Sequence, residues 1–321
     1  MVPALQVRQR TARNSPLYDT PHLPESPLWS MIVATTPALL AHLVDSAATD
    51  ADRGTRLTDA VDEHRQHLSA WYADLLGVLV VRASAATELA RVDIGELPLA
   101  VVADSGLDRL GPAVTTLRRA GAFVRRVESS VAKRGEDPVP GVAQLIEATA
   151  GIDDVTVHAE IPLTGGLLDG LDLLSTAEGG PGRWAATFRV GGLAGELFPP
   201  PNVLAGVICG CRDRGLRFTV NAGLRKALRH NDHETGFAHH GVFNVLAATL
   251  SAAGGAEQAA VADRLATADP VPLVEAVRLA RQAPRPLWTA FSTTRVGDLV
   301  SDLLLFEVIS PESSGSDNPV S

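Results

Sequence analysis

Residues 184–221 read WAATFRVGGLAGELFPPPNVLAGVICGCRDRGLRFTVN, and this stretch decides the fold class. A short strand-like run at 184–190 is followed by an apolar helical segment at 202–214 and a second strand-like run at 216–221. Gly215, directly after the helical segment, is typical of a helix end. The stretch therefore predicts a strand–helix–strand unit with two parallel strands.

The same alternation extends in both directions along the chain. Further strands are predicted at 78–81, 97–103, 122–127, 155–161 and 287–292. Helices are predicted at 36–44, 57–76, 107–120, 141–150, 166–175, 239–253, 256–266 and 272–283, with another beginning at Val296. Repeated strand–helix units indicate an α/β fold, and their number predicts a TIM-like (β/α) barrel in a single domain. An open doubly wound sheet is the alternative, although no G-x-G-x-x-G follows the first clear strand.

Composition predicts where the barrel domain begins and ends. Residues 1–30 are rich in Pro, Arg and Ser and lack periodicity, which predicts a disordered N-terminal extension or an over-called start codon. The regular pattern starts just after Met31. We expect the barrel domain to span 31–309 and a disordered tail to occupy 310–321.

Charge and cysteine content exclude several classes of protein. The 321 residues carry a net charge of −9, which argues against a nucleic-acid partner. Two cysteines, Cys209 and Cys211, cannot build a disulfide framework or a four-thiolate zinc site. Of the 28 basic residues only Lys133 and Lys226 are lysines, and neither lies in a Walker motif. The chain shows no signal peptide and no apolar run long enough for a membrane span, so we expect a cytoplasmic protein without a membrane partner.

Barrel enzymes bind ligands at the carboxyl ends of their strands, which gives a list of candidates. Those ends and the loops after them supply Asp104, Glu128, Glu160, Arg189, Asn221, Ser292, Thr293, Thr294, Arg225, Lys226, Arg229, His230, His233, His239 and His240. Arg189 followed by Gly191 and Gly192 suits an anion, since guanidinium pairs with carboxylate or phosphate and glycines admit a ligand to the backbone. Asn221 and Arg225, next in the ring, favour the same small anionic metabolite. A tight turn with solvated basic residues is the alternative for both segments.

Glu160 and the histidines are the candidates for proton transfer. Glu160 at a strand end is predicted to act as a base or to pair with Arg189. One of His239 and His240 is predicted to share the acid–base work. The histidine spacing matches no zinc pattern, so we predict no metal ligand set and keep a histidine-bound metal hydrolase only as a further alternative. His158 is expected to be a core histidine inside the barrel.

The segment from residue 184 to residue 248 resembles an uncharacterised bacterial family of predicted β/α-barrel proteins. The family motifs are K-x-R-x-G-G, F-K-x-T-A-G-L-H and H-G-F-x-N, and the resemblance extends over most of 31–305. It supports the barrel and assigns no reaction. The retained motif positions are Arg189, Gly223, Arg229, His240, Gly241 and Asn244, and Asn244 is added to the predicted ligand-binding residues.

The departures from the family pattern are as informative as the matches. Thr187 and Thr219 stand where the family carries lysines, and Asn221 and Arg225 replace a threonine and a histidine. The chain thus lacks two cations of the pocket that the resemblance implies.

Two main functions remain open on the sequence, and they differ in whether the chain is an enzyme. One is an enzyme of lyase or isomerase type that acts on a small anionic metabolite through Glu160 and a histidine. The other is a catalytically degenerate barrel that binds a ligand or regulates a partner. The sequence indicates no particular cofactor and no oligomeric state.

Overall fold

A computed structural model describes residues 36–47 and 56–311. Within these ranges the main sheet is a closed barrel of parallel strands, arranged around the ring as β1-β10-β7-β6-β5-β4-β3-β2. The strands of the ring are β1 (Val44–Ser46), β2 (Leu76–Arg82), β3 (Pro98–Val102), β4 (Phe123–Ser130), β5 (Thr156–Glu160), β6 (Trp184–Arg189), β7 (Arg217–Asn221) and β10 (Trp288–Thr293). A separate antiparallel pair, β8 (His230–Asn231) and β9 (Ala238–His239), follows β7.

Helices connect the strands and cover the outside of the ring. In the described part of the chain they are α1 (Leu57–Leu68), α2 (Ala86–Leu89), α3 (Leu110–Arg119), α4 (Val139–Thr149), α5 (Leu167–Thr176), α6 (Pro201–Asp213), α7 (Val242–Ala253), α8 (Gln258–Ala266), α9 (Pro270–Ala280) and α10 (Val296–Leu305). Successive side chains of a strand point to opposite faces of the sheet. Apolar side chains therefore face the helices on the outside of the ring, and the polar side chains between them face the barrel interior. The outward residues Val157, Phe188 and Val220 are fully buried against this helical layer.

The predicted single-domain α/β barrel is confirmed, and each predicted strand coincides with a strand of the ring. The predicted helix at 36–44 is wrong: the chain forms turns there and then enters β1. The helix predicted at 239–253 begins only at Val242, because His239 pairs with His230 in the short antiparallel sheet.

Strand β1 closes the barrel although it has only 3 residues. It pairs with β10 on one side and β2 on the other. The β1–β2 register shifts, and there the Asp45 carboxylate accepts the backbone N–H of Val78 at 2.9 Å. Arg285 ties the turn before β1 to β10, since its guanidinium donates to the Leu39 carbonyl at 2.6 Å and the Trp288 carbonyl at 2.7 Å.

The predicted termini lie almost wholly outside the described residues. The extension at 1–30 lies outside them, and of the tail at 310–321 only Ser310 and Pro311 are described. No helix in the described ranges has the length and apolar content needed to cross a membrane.

Candidate functional site

A single amide connects two carboxylates at the carboxyl end of the barrel. Asn221, the last residue of β7, donates from Nδ2 to Glu128 Oε1 on β4 and to Glu160 Oε2 on β5, the latter at 3.5 Å. Ser292 on β10 donates to Asn221 Oδ1 at 3.0 Å and so orients the amide with its NH₂ group toward both acids. These four residues come from four strands. We call the two acids, Glu128 and Glu160, joined by the Asn221 amide, the amide-bridged acid pair.

Glu128 is the buried member of this pair. Its side chain is 3% exposed, and burial raises its pKa to about 7, with the nearby Glu160 adding to the rise and Arg126 opposing it. Arg126, two residues earlier on β4, lies below Glu128 with Nε 3.7 Å from Glu128 Oε2. Its Nη1 forms a 2.8 Å ion pair with Asp45, so a charged column runs down the barrel interior.

Glu160 is the accessible member of the pair. Its side chain is 18% exposed, and Arg189 Nε on β6 lies 3.4 Å from Glu160 Oε1, as the sequence predicted for this strand end. Both residues line a cavity of about 290 Å³ at the carboxyl ends of the strands, which we call the upper cavity. Glu160 therefore faces both the buried acid and the space in which a ligand fits.

The upper cavity is rich in cations. Lys133 and Arg134, in the loop after β4, line it together with Arg189. Arg134 donates to the Glu196 carbonyl at 3.0 Å and so connects the loops after β4 and β6. Three cations face two carboxylates, Glu160 and Glu196, so the cavity favours an anionic ligand.

Thr187 and Thr219, which are register partners on β6 and β7, lie together in the barrel centre. Thr187 Oγ1 and Thr219 Oγ1 are 2.7 Å apart and fully buried. His158 Nδ1 lies 3.2 Å from Thr219 Oγ1, and burial, with Arg126 and Arg217 nearby, lowers the His158 pKa well below its usual value. The prediction of a core histidine at this position is confirmed, and the ring is neutral.

Gly191 allows two loops at the site to touch through their backbones. A Cβ at Gly191 would lie 2.5 Å from the Gly223 Cα, so the loops after β6 and β7 pack without side chains between them. Gly223 itself has φ +79°, a left-handed conformation that favours glycine. Gly191 thus lets the loops that follow the paired residues Arg189 and Asn221 pack closely, a role that the sequence alone did not suggest.

We expect Gly191→Ala to lower the free energy of unfolding by about 1–3 kcal/mol, because the new methyl group meets rigid backbone. Gly192→Ala is the matched control, since the methyl group there meets only the flexible side chain of Leu197. Urea denaturation of the two variants measures the difference. Equal losses in both would contradict the assigned backbone contact.

The predicted catalytic histidines have other partners. His240 is buried, donates from Nε2 to the Pro199 carbonyl at 2.8 Å and accepts from Arg229 on Nδ1 at 3.4 Å. Burial lowers the His240 pKa to about 4, so the ring is neutral at pH 7. His239 Nδ1 lies 2.8 Å from the Gly223 carbonyl, and its ring stacks on His230 at 5.1 Å. These contacts tie both histidines to backbone carbonyls near the loops after β6 and β7.

Asn244 and Arg225, predicted to bind ligand, are not brought into the upper cavity. The Asn244 side chain accepts the Arg229 N–H and donates to the carbonyls of Arg264 and Thr267, so all its described partners are backbone groups. Arg225 is exposed and does not line the cavity.

The other strand-end candidates form local contacts. Asp104 accepts hydrogen bonds from the backbone and side chain of Ser84, and Thr293 accepts the Arg295 N–H. In residues 36–47 and 56–311 no group of three or more His, Cys, Asp or Glu side chains is placed to hold a metal ion.

Four residues of the site were missed on the sequence. Asp45 and Arg126 are buried charges on strands, and their pairing links positions far apart in the chain. Lys133 and Arg134 follow β4 directly, and Lys133 is one of only two lysines in the chain, which was the available signal. The sequence predicts that this strand ends at 127, which makes Glu128 its end residue, whereas β4 continues to Ser130.

Fold and site together define a (β/α)₈ barrel with a carboxylate pair beneath a cationic mouth. A scan against protein-family models gives no match, and neither does a search of curated proteins. The resemblance drawn from the sequence motifs therefore stays a prediction.

Proposed function

We propose that this barrel is an enzyme that moves a proton to or from a small anionic metabolite, in a reaction of lyase or isomerase type. The observation that carries the proposal is the amide-bridged acid pair, whose accessible member Glu160 lines the cationic upper cavity. Two carboxylates whose different environments give them different pKa values are a usual arrangement for acid–base catalysis. A carboxylate or phosphate on the substrate would supply the partner for the cations.

The residues divide the work by their exposure. Arg189, whose side chain is 48% exposed, binds the anionic group of the substrate. Glu160 is the base, because it lines the cavity and accepts a hydrogen bond from the Asn221 amide. An anionic ligand on Arg189 competes with Glu160 for the guanidinium and so releases the carboxylate for proton transfer. Glu128 is a positioning residue, since it acts on Glu160 through Asn221.

A non-catalytic barrel that only binds such a ligand is the second candidate. The observation in its favour is the hydrogen-bonded pair of uncharged side chains, Thr187 and Thr219, at the positions of the resembling family's lysines. The two candidates differ in one measurable property, because a binding barrel takes up the same anions without exchanging their carbon-bound protons.

Deuterium exchange tests the enzyme proposal. We expect the protein, incubated in D₂O with short-chain carboxylic acids and sugar phosphates, to incorporate deuterium into at least one of them. Loss of a general base costs about 10²–10⁴-fold in rate, so Glu160→Gln should abolish the exchange. Proton NMR follows the signal loss. Glu196→Gln is the matched control, because Glu196 also lines the cavity but is assigned no proton transfer.

The same exchange assay tests whether Arg189 binds the substrate. Arg189→Met should raise the half-saturating concentration about tenfold or more, since it removes a charge-assisted bond. Arg225→Met should leave it unchanged. Exchange that persists in Glu160→Gln would contradict the assigned base, and binding of these compounds without any exchange would favour the non-catalytic barrel.

A further inference from the structure

The opposite end of the barrel contains a second cavity that the proposed function does not use. It measures about 230 Å³ and lies among the first residues of the strands. The interior of a TIM barrel is usually filled by layers of branched apolar side chains. Here Gly77, Gly182, Ala185 and Ala290 line the space, and these small residues leave it unfilled. We call it the lower cavity.

Its lining is charged. Arg126 lines the lower cavity with its side chain only 8% exposed. Its Nη1 pairs with Asp45, and its Nε, which makes no hydrogen bond, lies 3.7 Å from Glu128 Oε2. A cavity lined by a buried charge is a place for water or a polar ligand and not a dry void.

Arg125 and Arg217 also line the cavity, and Arg217 lies at its rim. It is the first residue of β7, it is exposed, and no ion-pair partner for it exists in the described part of the chain. Gly182, on the neighbouring β5–β6 side, has φ +79°, and a Cβ there would lie 3.0 Å from Arg217 Nη2. The glycine thus leaves the guanidinium room to lie across the opening.

The only carboxylate among the cavity's lining residues is already engaged. Asp45 Oδ1 accepts the Val78 N–H, and Oδ2 pairs with Arg126. His158 and His42 also line the space. The positive charges of Arg126 and Arg217 both act on the His158 ring, where they lower its pKa. The unmatched charge at this end is therefore positive.

We propose that the lower cavity is a second ligand site, which binds a small oxyanion between Arg126 and Arg217. The anion sits at the amino ends of the strands, where Arg217 holds it from the rim and Arg126 from the interior. This site is separate from the upper cavity, so the protein binds two anions, one at each end of the barrel.

Inorganic phosphate is the probe. Isothermal titration calorimetry of the full chain should show two phosphates bound per molecule, one of which is lost or weakened about tenfold in Arg217→Met. Arg189→Met should lose the other. Arg119→Met, an exposed change on α3, controls for the altered net charge and should retain both.

NMR assigns each phosphate to its cavity. With the histidine rings labelled with ¹⁵N, phosphate should shift the His158 signals in wild type and in Arg189→Met, but not in Arg217→Met. The proposal is overturned if Arg217→Met binds phosphate like the wild type, or if the His158 signals do not respond in Arg189→Met. Loss of a phosphate in Arg189→Met tests only the upper cavity, and loss in Arg217→Met tests only the lower cavity. The proposed function and the second site can therefore be contradicted separately.

Discussion

Replacing Arg126 with methionine is expected to lower the free energy of unfolding by about 3–5 kcal/mol, the usual cost of removing one partner from a buried ion pair. Asp45 and Glu128 are each only 3% exposed, and Arg126 is the cation that contacts both. Without it, the Asp45 carboxylate stays in the barrel interior with the Val78 N–H as its hydrogen-bond donor and the charge of Arg285 nearby.

Urea denaturation measures this loss. Two further variants test whether it comes from the buried ion pair. Arg189→Met removes an exposed cation with one long contact and should cost less than about 1 kcal/mol. Arg126→Met combined with Asp45→Asn should recover part of the loss, because the amide keeps an acceptor for Val78 and carries no charge. A loss below about 1 kcal/mol for Arg126→Met alone would show that the column does not support the barrel.

Glu128→Gln is expected to change how stability depends on pH, by roughly 3 kcal/mol between pH 4.5 and 7. Burial raises the Glu128 pKa from 4.5 to about 7 in the folded chain. Between these values the folded protein holds a proton that the unfolded chain has lost, so Glu128 makes stability fall as pH rises. Above pH 7 its contribution is constant.

The test is the difference between two profiles of unfolding free energy against pH. The buried His158 and His240, whose pKa values are lowered, act in the opposite direction, since their stabilisation is lost as pH falls. Their contribution is common to wild type and variant and cancels in the difference. Glu147→Gln, on the exposed face of α4, is the matched control. Parallel profiles for wild type and Glu128→Gln would contradict the raised pKa.

Much of the barrel could be predicted from the sequence because its strands and helices are marked locally. Short apolar runs and glycines after helices place nearly all elements of the ring. Strand β1 was missed because it has 3 residues, with Asp45 in the middle. What makes it a strand is pairing with β2 and β10, and Asp45 is stabilised there by Val78 and by Arg126, 81 residues further on. No local pattern contains that information.

The site was predictable where its residues end strands. Glu160, Arg189 and Asn221 were named from the sequence and lie together, because parallel strands present their carboxyl ends on one side. His239, His240 and Asn244 were placed with them by the resemblance and by residue type. In the structure these side chains instead bond to backbone carbonyls, which depends on tertiary packing and not on spacing.

The amide of Asn221 has a consequence for how this fold can be divided. A cut of the chain between β4 and β5 would leave Glu128 in one half of the ring and Glu160, Asn221 and Ser292 in the other. The first half would keep the acid whose proton affinity is raised, but not the acid and amide that face it. Neither half contains the pair, so Glu128 meets the Asn221 amide and the neighbouring Glu160 only when the ring is closed.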